Sequence, residues 1–115
     1  MMSDNVLTEL VSVIKERKEN KEEGSYTCYL FEKGTDKILK KVGEECAETI
    51  IAAKNFMSNQ GSAEDLTGEV SDLIYHLLVM LEDTGIPFDS VLHELETRSL
   101  KTGNKKVMKN VDKNS

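Results

Sequence analysis

The chain has 115 residues, 38% of them hydrophobic and 31% charged, with one Pro and no low-complexity tract; this composition fits one ordered, soluble domain with a small core and excludes a disordered chain. The net charge of −6 is uneven: residues 1–100 carry 10 basic and 20 acidic groups, while residues 101–115 carry five Lys and one Asp. An acidic body at −10 and a tail at +4 argue against a duplex nucleic-acid surface, which needs clustered Lys and Arg.

The opening MMSDNVLTEL is too polar for a secretory signal. The longest apolar run, Leu73 to Leu81 and broken by His76, is far short of the ~20 residues that span a bilayer. A cytoplasmic protein with neither nucleic-acid nor membrane partners is the expectation. Cys28 and Cys46, 18 residues apart, make neither a disulfide framework nor a metal knuckle and read as reduced thiols.

Residues 4 to 20 place Val6, Leu7, Leu10, Val13 and Ile14 at helical spacing, with Ser3 or Asp4 as N-cap. The next stretch, KEEGSYTCYLFEKGTD, breaks the pattern at Gly24 and Gly34 and reads as a loop with one helical turn. From about Thr35 to Met57 the period resumes. Ile38, Leu39, Val42, Cys46, Ile50, Ala53, Phe56 and Met57 fall within about 120 degrees of arc, one core face on a long helix.

SNQGSAED supplies a turn, with Ser62 three residues before Asp65 as a helix start. The helix from 63 to 84 has Leu66, Val70, Leu73, Ile74, Leu77 and Leu81 on one side, and Tyr75, Leu78, Val79 and Met80 carry apolar character nearly all round. Burial on most of its circumference is expected, continuing into a partner chain. Gly85 is the C-cap candidate, Pro87 opens the next element, and FDSVLHELETRSL gives a last helix ending near Leu100. The predicted architecture is an all-α bundle of four to five helices over residues 1–100, completed by dimerisation, with a basic, partly disordered tail at 101–115.

The chemistry concentrates in VGEECAE, where Glu44, Glu45 and Glu48 stand within five residues. Glu45 lies at the edge of the apolar stripe, so partial solvation is expected. The following helix repeats the theme with Glu69 and Asp72, three apart. Two such pairs on adjacent antiparallel helices converge on one point, a geometry suited to a hard divalent cation such as Mg²⁺, which takes oxygen ligands and leaves sites for water and phosphate. A cation also offsets the repulsion among partly buried carboxylates.

The plainer reading is a solvated acidic face with Lys41 and Glu45 as an ordinary i, i+4 pair. Two acids interrupting the most apolar helix favour the metal. His76 shares the face of Glu69 and Asp72 but reads as a hydrogen-bonded core residue and is left out of the ligand set; Tyr75 and Met80 read as core or interface. Gly43 and Gly68, inside helices, cost about 1 kcal/mol each relative to Ala, which close approach of a helix or a substrate would explain.

SYTCYLFEKGTDKILKKVGEECAETIIAAKN, followed by EVSDLIYHLLVML and VLHELETR, resembles the phosphoribosyl-ATP pyrophosphohydrolases of histidine biosynthesis. EExxE followed by ExxD is shared with the wider all-α, MazG-like nucleoside triphosphate pyrophosphohydrolases. The Ser-Tyr-Thr loop, the KVGEE run and the DLxYHLLV run point to the narrower family.

The resemblance implies Mg²⁺-dependent hydrolysis of phosphoribosyl-ATP to phosphoribosyl-AMP and pyrophosphate, with Mn²⁺ as a substitute ion and a homodimer or higher homo-oligomer. Carried over by motif, Glu45, Glu48, Glu69 and Asp72 bind metal, and Glu44 or Glu48 takes the proton of the attacking water. Lys41 contacts phosphate, with Lys37 as the second candidate and Arg98 from the last helix. Ser25, Tyr26 and Thr27 bond ribose or phosphate, unless Thr27 is only a helix cap. Many relatives are fused to the cyclohydrolase of the next step, for which 115 residues leave no room, so a monofunctional chain is expected. Cys46 stands where the family often has Ala. Two rival readings are a MazG-like enzyme acting on non-standard or excess triphosphates, and a non-enzymatic helical dimerisation module with a structural metal.

Overall fold

The computed structural model describes residues 6–102, with side chains placed for residues 6–99. Five helices follow in chain order, α1 (Val6–Glu19), α2 (Tyr26–Lys33), α3 (Thr35–Met57), α4 (Ala63–Thr84) and α5 (Phe88–Thr102), with no strand among the described residues. The fold is all-α, as expected. The N-cap expected at Ser3 or Asp4 and nearly all of the basic tail lie outside the described residues.

The local rules hold where the sequence states them most plainly. Ser62 Oγ accepts from the Asp65 N–H at 3.0 Å and starts α4. Gly85 ends it in the left-handed region at φ 78°, its N–H reaching back to the carbonyl of Glu82. The stretch expected to be a loop with one turn is instead helical over two turns, α2. Ser25 Oγ caps it by accepting from the Cys28 N–H at 3.1 Å, so Ser25 and not Thr27 is the cap. Gly34 alone separates α2 from α3, at φ 96°, a value open to few residues but Gly.

α3 and α4, joined through residues 58–62, form the principal hairpin, and α1 and α2 close over its end where Gly34 and Gly85 lie. There the core assembles from Ile14, Leu30, Ile38, Leu78 and Val79, with Leu10, Phe31, Tyr75, Leu81 and Phe88 packed around it. Fully burying a side chain of this size contributes roughly 1.5–3 kcal/mol.

The rest of the hairpin departs from expectation. On α3 only Ile38 and Glu45 are buried. Ile50 is 65% and Met57 78% exposed, and Leu39 and Phe56 are exposed as well. On α4, His76, Leu78 and Val79 are buried while Val70 and Ile74 are exposed, so within one chain the helix is not buried round most of its circumference. A Cβ at Gly43 or Gly68 would meet nothing within 4 Å, so no close helix approach within the chain accounts for either.

Candidate active site

Glu45 and Glu48 project from the middle of α3 toward α4, and Glu69 projects back from the first half of α4. One carboxylate oxygen from each lies within 4.8 Å of the others. Glu45 is 5% exposed, which corrects the expectation of partial solvation: the edge of the stripe is the face that packs on α4. Glu45 Oε2 and Glu69 Oε2 are both buried without a hydrogen-bond partner. Two buried acid oxygens without partners in one cluster are expensive unless a cation or a proton satisfies them.

The cluster holds Glu69 above the usual carboxylate range, raised from 4.5 to about 6. The first cause is the hydrogen bond it shares with Glu48; partial burial and the charges of Glu48, Glu45 and Asp72 add to it. Asp72 is exposed and stands outside the triad, one turn further along α4. Thr49 ties the two helices at the level of the acids: its hydroxyl lies 2.7 Å from the Glu45 carbonyl and 3.3 Å from that of Glu69.

Lys41 is the cation on this face, its Nζ 3.8 Å from both Glu44 Oε1 and Glu45 Oε1. Partial burial works against its charge, but Tyr26, Glu44, Glu45 and Glu48 together raise its pKa above the ordinary value. Glu44 is half-exposed beside it. Lys37 is half-buried one turn earlier and makes no ion pair among the described residues. Arg98 is exposed on α5, its Nε 2.9 Å from Glu94 Oε1.

The three residues of the Ser-Tyr-Thr run divide their work. Ser25 caps α2. Thr27 is buried and its hydroxyl bonds to that of Tyr75, so it serves to dock α2 on α4. Tyr26 is 46% exposed and stacks between Tyr29 and Tyr75, with ring centroids at 6.1 and 6.2 Å. Its hydroxyl lies 3.0 Å from His76 Nε2. Burial pushes the phenol pKa up and nearby Lys41 pulls it down, while Glu45, Tyr29 and Asp72 add to the rise.

Open space adjoins the acids. A groove of about 280 Å³ is bordered by Glu48, Glu69, Asn55, Gln60 and Asp65. A separate groove of about 360 Å³, lined by none of the clustered acids, runs past Ser25, Tyr26 and Tyr29 to Lys21 and Glu32. Sequence reasoning did not single out Thr49 or the Tyr26–His76 pair. A Thr four residues after a buried acid is a weak signal for the first, and residues 50 positions apart give none for the second.

The sequence model of one family, described as phosphoribosyl-ATP pyrophosphohydrolase, matches residues 7–99. The phosphoribosyl-ATP pyrophosphatase of Clostridium novyi is 51% identical over 89% of this chain and 88% of its own. That of Listeria welshimeri is 52% identical over 93% and 98%. The histidine biosynthesis bifunctional protein of Halalkalibacterium halodurans is 54% identical over 81% of this chain but 42% of its own length. With matches of this identity and coverage, the chain belongs to the phosphoribosyl-ATP pyrophosphohydrolase family.

Proposed function

We propose that the protein hydrolyses phosphoribosyl-ATP to phosphoribosyl-AMP and pyrophosphate, the second step of histidine biosynthesis, as a cytoplasmic homodimer using Mg²⁺ or, in its place, Mn²⁺. The observation that carries the reading is the pair of unpartnered, buried oxygens on Glu45 and Glu69 within the Glu45–Glu48–Glu69 cluster, in a chain of this family. An all-oxygen, anionic donor set open to a groove fits a hard cation that keeps places for water and phosphate. Glu45, Glu48 and Glu69 would hold it, with Asp72 reaching in from the next turn. When bound, such an ion neutralises charge on phosphate oxygens and acidifies a coordinated water.

The chain's own groups account for the rest. Lys41 offers a positive charge for a phosphate oxygen in a face that is otherwise anionic, with Lys37 and Arg98 as further candidates. Water attacks the α-phosphorus in line, the bond to the β-phosphate bridging oxygen breaks, and the water's proton passes to a carboxylate. Glu44, half-exposed and outside the triad, is the candidate for that transfer; Glu48 is the alternative.

Incubating the protein with Mg²⁺ and phosphoribosyl-ATP, in parallel with ATP, dCTP and dUTP, tests the assignment. Pyrophosphate release from phosphoribosyl-ATP that stops with EDTA supports it. Release from the simple triphosphates alone moves the protein to the MazG-like reading, and no release from any leaves a structural metal module. No helix among the described residues is long and apolar enough to cross a membrane.

The raised pKa of Glu69 gives a pH signature with a definite sign. A carboxyl that titrates near 6 when folded and 4.5 otherwise binds its proton more tightly in the folded state. Its stabilising contribution to the metal-free protein is full below about pH 4.5 and is lost as pH rises through about 6. A cation competes for the same oxygens. The rise in melting temperature on adding Mg²⁺ is therefore expected to be larger at about pH 7.5 than at about pH 5.5. Thermal melts with and without Mg²⁺ measure it, and equal shifts at both values would contradict the assignment of Glu69 as a ligand.

A further inference from the structure

His76 is 5% exposed, it lies on the helix that carries Glu69 and Asp72, and the reaction as described gives it no role. Its surroundings fix its chemistry. Nδ1 is 2.7 Å from the backbone carbonyl of Asp72, and a carbonyl only accepts, so Nδ1 carries the hydrogen. Nε2 faces the Tyr26 hydroxyl at 3.0 Å. The ring thus sits between a carbonyl and a phenol, with no carboxylate bonded to it. Neutral imidazole with hydrogen on Nδ1 has a bare lone pair on Nε2, so the Tyr26 hydroxyl must donate to it.

A phenol has one hydrogen. With that hydrogen committed to His76, the oxygen of Tyr26 has only lone pairs left to offer, and it makes no other hydrogen bond among the described residues. Phosphate oxygens at neutral pH are acceptors too, and two acceptors do not pair. A hydroxyl group can donate to Tyr26; a phosphate cannot. The ring is held for this purpose by its stacking against Tyr75 and Tyr29 and by the edge of the imidazole at 5.8 Å between centroids. Tyr26 is 46% exposed and lines the groove that runs past Ser25 and Tyr29.

We infer that His76 is a positioning residue that makes Tyr26 an obligate hydrogen-bond acceptor, and that Tyr26 thereby recognises a ribose hydroxyl of the substrate. This rests on the activity proposed above and narrows it, since the sequence reading left Tyr26 open to ribose or phosphate. It also divides the work between two neighbours in the site: Lys41 is left to meet phosphate, and Tyr26 meets sugar.

The test uses phosphoribosyl-ATP and analogues lacking single hydroxyls, the 2′-deoxy and 3′-deoxy forms of each of its two ribose rings. Tyr26→Phe is expected to lose roughly tenfold in kcat/KM on phosphoribosyl-ATP, the worth of one hydrogen bond, and to lose nothing on the analogue that lacks the hydroxyl in question. His76→Leu is expected to lower discrimination for that same hydroxyl, because the Tyr26 hydrogen is then free to turn outward. Its effect is also expected to vanish in a Tyr26→Phe background. A Tyr26→Phe loss that is equal on every analogue, or independent, additive losses in the double variant, overturns the inference.

Should His76→Leu fail to fold by circular dichroism, the Tyr26→Phe series alone decides. Failure of the unaltered protein to act on phosphoribosyl-ATP would overturn the proposed function instead, so the two failures are told apart.

Discussion

Glu45→Gln is expected to lower kcat/KM for pyrophosphate release by on the order of 10³ or more while leaving the helical fold in place. The magnitude follows from the several kcal/mol that a divalent ion would contribute to charge stabilisation at phosphorus, which falls away when the most buried of its proposed ligands is made neutral. The fold survives for a reason specific to this site. Glu45 Oε2 has no protein partner, and its other oxygen is a loose 3.8 Å from Lys41 Nζ, so little native bonding is lost. Removing one charge from a crowded set of carboxylates also relieves repulsion. The metal-free variant should therefore melt no lower than the parent, and the stabilisation by Mg²⁺ should disappear. Steady-state kinetics and melting curves on the same preparations separate the cases. Activity within about tenfold of the parent would remove Glu45 from the site, and collapse of the fold would make its role structural.

Ile50→Glu is expected to convert a dimer to a folded monomer. Leu39, Cys46, Ile50 and Met57 recur along α3 at intervals of seven, four and seven residues, the spacing of a helix-packing seam, yet all four are exposed within the chain. An apolar stripe of this length on a single chain is uncommon unless something covers it, and a second copy of the same chain is the occupant implied by the expected homodimer. In a two-fold interface one substitution is felt twice, placing two unpaired carboxylates in apolar surroundings at a cost of several kcal/mol each. Ile50 is 65% exposed in the isolated chain, so the change does not touch the core of Ile14, Leu30 and Val79. Light scattering with size exclusion reads the mass and circular dichroism the helicity. A parent that is already monomeric, or a variant that stays dimeric, contradicts the placement of the interface on this face.

The ease with which different parts could be read from the sequence tracks the range of the forces involved. The α3–α4 hairpin was legible because Ser62 and Gly85 act through hydrogen bonds to their own near neighbours, and because more than 20 residues of 3.6-residue periodicity in each helix leave no competing pattern. α2 was not, since eight residues give barely two turns. An isolated helix that short is marginal in water and exists here through its Ser25 cap and the packing of Leu30 into the core.

The stripe on α3 was recognised as apolar, but periodicity says that a face avoids water without saying which chain shields it. Among the candidate site residues, the structure gathers Glu45, Glu48 and Glu69 and leaves Asp72 exposed beside them. His76 was read as a hydrogen-bonded core residue, and it is one. Its partner, 50 residues earlier, is a matter of tertiary docking and left no trace in local spacing.

Thr49 bears on which ion the proposed site would accept. One hydroxyl lies between the carbonyl of Glu45 on one helix and that of Glu69 on the other, so the chain's own groups bridge the two acid-bearing backbones at this level when it folds, before any ion arrives. A cage whose walls are gauged in advance has little freedom to widen for a larger guest or to add carbonyl ligands around it. Calcium, which takes six to eight oxygens in loose and variable arrangements, would forfeit that freedom here, while magnesium asks for few protein ligands at fixed spacing. Choosing by size would then be a property of the frame and not of the carboxylates, which any divalent cation finds attractive.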